Sequence, residues 1–215
     1  MLMVKKLPTI VYVFLLLLGI VGCQSTTRFT QHQKSLIAEA DSTTPMRVFQ
    51  ITNTSDSILL RTKSAKIKVD PKDSILQTFI NRLYATVRDS MSLGVGIAAP
   101  QVGILKNIIW VQRFDKENYP FEVYLNPEIL EYSDTKQPCL EGCLSIPERR
   151  DTTYTRAETI LIKYDQFNKK RVKEKVSGFT AVIFQHEIDH LNGILYLDHL
   201  EKEKGLEKNN IAQQH

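Results

Sequence analysis

The chain has 215 residues, 42% of them hydrophobic and 24% charged, proportions that fit one globular domain with a single apolar core and exclude wholesale disorder. The formal charge is +4, and setting Lys5 and Lys6 aside leaves 26 bases against 24 acids. That balance excludes the concentrated basic face on which nucleic-acid binding depends, and no internal repeat is present.

Lys5 and Lys6 form a short positive region, followed by residues 7–22, which are almost wholly apolar. The run is shorter than the roughly 20 residues a membrane-spanning helix needs, and has the dimensions of a signal-peptide core. Ile20 to Cys23, IVGC, resembles the lipobox of bacterial lipoproteins. This predicts a signal peptide over 1–22 and lipidation of Cys23. The protein would then be attached to a membrane by a lipid anchor and face the periplasm or exterior. An uncleaved anchor helix is the plainer alternative, and translation starting at Met46 would give a cytoplasmic protein. Residues 23–45, rich in Ser, Thr and Gln, read as a flexible tether, with room for a short helix around Leu36 to Ala40.

The folded domain is expected over 46–200. Met46 to Ile51 reads as a first strand or extended arm. Asp70 and Pro71 are suited to opening a helix whose apolar stripe is Ile75, Phe79, Leu83, Val87 and Met91, stopped by Gly94 and Gly96. Ile108 to Gln112 and Glu122 to Leu125 read as strands, and Thr159 to Tyr164 with Arg171 to Val176 as a hairpin. Ser177 to Leu191 is a second helix with Gly193 past its end. Strands and helices do not alternate regularly, which predicts an α+β architecture. Residues 201–215 read as a charged, solvated tail.

The second helix carries QHEIDH, an HExxH pattern of His186, Glu187 and His190. Positions four apart share a helix face, so two imidazoles can bind one metal ion, with Glu187 near a bound water. Two histidines on an ordinary half-buried helix are the plain alternative. The third ligand decides the reaction class. An extended metzincin pattern would need a histidine where Tyr196 stands, and His199 comes three residues late. Glu201, Glu203 or Glu207 would serve a thermolysin-like membrane-anchored metallopeptidase, but little chain remains to pack such a helix back. Upstream, CLEGCLSIP offers Cys139 and Cys143; a thiolate with two imidazoles leaves a position open to water. A buried thiol, a Cys139–Cys143 disulfide or a closed structural site are the other readings. GVGIAAPQ, Gly94 to Gln101, brings glycines that permit close backbone approach and an amide donor.

GVGIAAPQ, EGCLS and QHEIDHL, in that order and at these separations, resemble the three signature motifs of the peptide deformylase family. The resemblance covers roughly Met46 to Leu200. It implies antiparallel strands packed around a central helix bearing HExxH, and one metal ion held by Cys143, His186 and His190. Fe²⁺ is the implied ion, with Zn²⁺, Ni²⁺ or Co²⁺ as substitutes, and the implied substrates are N-formylmethionyl peptides. Metal-bound water would be the nucleophile and Glu187 the general acid and base, with Gln101 and the Leu144 N–H as oxyanion donors. Gly96 would pair with the substrate backbone. Val95, Glu141, Phe179 and Val182 would border the methionine side chain, and Arg150 stands where the family often has a substrate-binding arginine. The expected form is a monomer.

Overall fold

The computed structural model describes residues 27–89, 94–168 and 170–212, with side chains as far as 205. The leader over 1–22, Cys23 and Met91 lie outside the described residues.

The segment read as a tether is, from residue 27 on, docked on the domain. Helix α1, Gln31–Ala38, opens with a capping box in which Thr30 and Gln33 satisfy each other's backbone N–H. Ile37 is fully buried, and the ring of Phe29 meets that of Phe79 edge-on at 5.8 Å. The buried Arg82 guanidinium donates to the carbonyls of Leu36, Ile37 and Thr44 at 2.9–3.0 Å. The polar composition hid two apolar anchors and a cap. Replacing Arg82 by alanine orphans those carbonyls and is expected to lower stability by about 3 kcal/mol in chemical denaturation.

Met46 to Ile51 is an extended arm rather than a strand. Its amides bridge two distant turns, Phe49 N to Gln101 O at 2.7 Å and Ile51 N to Ser145 O at 2.9 Å. Helix α2, Thr54–Leu60, follows an Asn53 cap that the sequence reading passed over. Helix α3, Ser74–Arg88, begins after Asp73, whose carboxylate accepts from the amides of Ile75 and Leu76; Asp70 and Pro71 form the preceding turn. Its buried face is Leu76, Phe79, Ile80, Leu83 and Val87, which leaves Ile75 at the margin.

Seven strands follow among the described residues: β1 Gly96–Ala98, β2 Ile108–Gln112, β3 Phe121–Tyr132, β4 Lys136–Cys143, β5 Ile146–Ala157, β6 Thr159–Asp165 and β7 Arg171–Ser177. Five make an antiparallel sheet in the order β1-β2-β3-β6-β7, and β4 and β5 form a separate hairpin. A 3₁₀ turn, Ala99–Val102, leaves β1 and closes on Gly103 at φ 82°. Mixed helices and antiparallel sheets agree with the α+β expectation.

Helix α4, Gly178–Leu191, meets all seven strands. Ala181, Ile183, Phe184, Ile188 and Leu191 share one apolar cluster with Ile109, Val111, Tyr124, Ile160 and Ile162 of the sheet. Beyond Asn192, Gly193 adopts φ +74°, where an added Cβ would lie 2.4 Å from Arg61 O, so glycine is required for the chain to turn there. Helix α5, Tyr196–Ala212, runs through the segment read as a tail. Leu195, Tyr196 and Leu200 anchor its start against Ile146, while Glu201 and Lys202 are exposed. Three apolar side chains within one and a half turns hold it, a stripe too short to register against the charges that follow.

Candidate metal centre and its cleft

His186 and His190 stand one turn apart on α4, and Cys143 reaches them from the end of β4. One ligand atom from each of the three lies within 4.8 Å of the others. Cys143 Sγ is 3.2 Å from His190 Nε2. Cys143 and Cys139 are both free thiols, so the disulfide reading falls away. One sulfur and two ring nitrogens at this spacing suit a borderline-soft divalent ion.

The His186 ring is oriented from behind. Its Nδ1 lies 2.8 Å from Glu141 Oε2, which leaves Nε2 facing the cluster. Arg156 donates to both oxygens of Glu141 at 2.8 and 2.9 Å, and Thr153 donates to Oε1. Burial alone would raise the Glu141 carboxyl, but hydrogen bonds from His186 and Arg156 outweigh it and hold the group well below the usual carboxylate range. A depressed carboxyl stabilises the fold above its ordinary range, and that contribution is lost as pH falls through its lowered value. Glu141 was expected at the methionine pocket. With both oxygens engaged it instead supports the ring of His186, a candidate metal ligand. Glu141→Gln keeps the shape but loses the charge, and a roughly 10–100-fold fall in metal affinity is expected, measured by competition with a chelator.

Glu187 follows His186, stands outside the ligand cluster, and lies against Gly96 of β1. It is buried, and its Oε2 has no hydrogen-bond partner among the described residues. Burial pushes its carboxyl up to about 7, with His186 opposing and Glu141 adding to the rise. A Cβ on Gly96 would lie 2.5 Å from Glu187 Oε1 and 2.8 Å from Ile183, so only glycine lets β1 pass this close. Gln101 is fixed by Ala98 N, which donates to its Oε1 at 2.8 Å; its Nε2 then points to Ser145 Oγ at 3.3 Å and Cys143 Sγ at 3.6 Å.

These groups open onto a cleft of about 840 Å³. Val95, Gly96, Phe179, Val182 and Ile183 line one wall; Leu144 and Arg150 line the cleft from the hairpin, where Arg150 pairs with Gly142. Every expected substrate-contact residue thus lies at the cleft, with Glu141 in a different role. Sequence reasoning missed Arg156, which only long-range pairing brings to the site, and gave Ser145 no role within its motif; Cys139, weighed as an alternative to Cys143, lines the cleft with a half-buried thiol. Asp189 lay inside the HEIDH motif and was passed over.

Such a donor set beside a buried acid and a peptide-sized cleft defines the class of protein, a metal-dependent hydrolase. The chain belongs to the polypeptide deformylase family, whose model matches residues 48–205. A peptide deformylase of Desulforudis audaxviator is 41% identical over 162 residues, covering 71% of this chain and 94% of its relative. One from Leptospira biflexa is 34% identical, covering 74% and 91%. A structure of the class I type b peptide deformylase of Acinetobacter baumannii bound to Met-Ala-Ser superposes with a TM-score of 0.63 at 34% identity, covering 73% of this chain and 99% of that one.

The comparisons also correct the expected location. The relatives are peptide deformylases matched over nearly their whole lengths. A lipid-anchored protein facing the periplasm or exterior is therefore not upheld. That expectation rested on residues 1–23 alone, which precede the family match.

Proposed function

We propose that the chain hydrolyses the formyl amide of N-formylmethionyl peptides, with Cys143, His186 and His190 as metal ligands and Glu187 as general acid and base. The convergence of those three ligand atoms beside a buried Glu187, whose Oε2 has no partner among the described residues, carries this reading, in a chain whose family is metal-dependent. Fe²⁺ is the proposed ion, with Zn²⁺, Ni²⁺ or Co²⁺ able to replace it. Bound there, the ion supplies Lewis acidity and lowers the pKa of water toward neutrality.

The chain's own residues do the rest. The substrate backbone runs beside Gly96, and the methionine side chain enters between Val95, Phe179 and Val182. The Acinetobacter relative is bound to Met-Ala-Ser, a peptide of the product type, which supports a methionyl peptide as the ligand of this cleft. Gln101 Nε2 and the Leu144 N–H donate to the formyl oxygen as charge gathers on it; one such donor is worth roughly 3–4 kcal/mol of barrier. Glu187 takes a proton from the attacking water and returns it to the departing amine, and a carboxyl pushed to about 7 is matched to both tasks. Arg150 at the cleft rim holds the downstream peptide. The domain spans 46–200, arranged around α4, and all these groups come from one chain, consistent with action as a monomer.

The deciding experiment incubates the metal-loaded protein with formyl-Met-Ala-Ser and, separately, with Met-Ala-Ser. One formate per formylated peptide, with every peptide bond intact, is the expected result. Cleavage within the unformylated peptide would favour the metallopeptidase reading, which no comparison supports.

A further inference from the structure

Behind His186 a chain of charged side chains climbs from the core to the surface. Arg156 presents one edge to Glu141, and its remaining nitrogen, Nη1, donates to Asp189 Oδ2 at 2.6 Å. The same oxygen lies 2.8 Å from His199 Nε2. Arg156 Nη1 also lies 3.4 Å from that ring nitrogen; the much shorter contact to a carboxylate oxygen, which accepts, assigns the nitrogen as donor to Asp189. The Arg156 and Glu141 side chains are 3% exposed, Asp189 15% and His199 27%. His199 belongs to α5, as does Tyr196, whose ring stacks on His186 with centroids 6.1 Å apart.

We infer that α5 is a second support of the metal centre, and that His199 is a positioning residue acting on His186 through Asp189, Arg156 and Glu141. One guanidinium shared between two carboxylates is pulled from both sides, and the outcome depends on how firmly each carboxylate is held. Its bond to His199 anchors Asp189 in place and takes up part of its charge. Without that donor Asp189 is free to draw Arg156 toward itself, the fork on Glu141 loosens, and the His186 ring loses a fixed partner. His199 is absent from the ligand cluster and from the lining of the cleft, so its effect on the ion is indirect.

The inference rests on the metal-site reading, and the test separates the two. Full-length wild type, H199N, H199Q and E203A are loaded with Co²⁺; the thiolate-to-cobalt absorption is recorded and cobalt loss to a chelator is timed. Glutamine places an amide N–H where histidine has Nε2, whereas asparagine places it short. H199N is expected to shift the absorption and lose cobalt about three- to tenfold faster. That is less than the roughly 10–100-fold that loss of a ligand's direct partner costs. H199Q restores both properties. E203A removes only the bond from Tyr154 N to Glu203 on the same helix and should match wild type. A wild-type protein with no thiolate–cobalt absorption would refute the metal site itself. Given that absorption, wild-type behaviour of H199N, or an equal change in E203A, would overturn the role of His199.

Discussion

Replacing Glu187 by alanine is expected to lower kcat/KM for a formyl-methionyl peptide by about 10²–10⁴-fold while metal content stays at the wild-type level. The two outcomes separate because Glu187 is one residue, about 100° of helix rotation, away from His186, and its carboxylate is absent from the ligand cluster. Removing it takes away the group proposed to move protons and leaves the three clustered ligand atoms in place. Its buried Oε2 has no hydrogen-bond partner among the described residues, so removing it breaks no bond of that oxygen and thermal stability should change little. Metal analysis of the purified variant beside a formate-release assay checks the result. An E187A protein that keeps most of its activity would rule out the assigned role.

Cys143→Ala should have the opposite profile, with loss of the ion first and of activity as a consequence. Two histidines alone leave a two-coordinate site, and the departing ligand is the soft, charged one. The fall in affinity must exceed the roughly 10–100-fold that removal of a supporting partner costs. Cys143→Ser should fare little better, since an alcohol does not ionise as a thiol does. Cys139→Ala is the control: this thiol lines the cleft but lies outside the ligand cluster, and burial pushes it up, away from the thiolate form. Metal content after desalting, measured in all three variants, decides the matter. Full occupancy in C143A would transfer the third ligand elsewhere.

What could be seen in the sequence was what local periodicity encodes. HExxH places two imidazoles on one helix face whatever the rest of the fold does, and α4 emerged with both of them aimed at one point. Strands β2, β6 and β7 were legible because their β-branched alternation reports a half-buried sheet. The β4–β5 hairpin was not, since Lys136, Arg149 and Arg150 hide its period. Glu141 was misassigned for a related reason. Along β4 the inward positions are Cys139, Glu141 and Cys143, so the acid faces α4 beside the ligand and meets His186. Motif adjacency carried no information about which way it faced. Arg156 could not be foreseen at all, because its two carboxylate partners are 15 and 33 residues away in sequence. The N-terminal segment misled through composition: Thr30, Gln33 and Ile37 decide its fate, and the surrounding Ser and Thr do not.

The thiol and the imidazoles sit on different elements, with Cys143 and His190 lying 47 positions apart in the chain. An unfolded chain therefore has no pre-assembled binding site, and an ion that binds only the native form drags the equilibrium toward it. At a free concentration a hundred times the dissociation constant, that linkage adds about 2.7 kcal/mol. Stripping the ion should consequently lower the melting temperature and hasten proteolysis, so metal supply sets how long this enzyme survives as well as how fast it works.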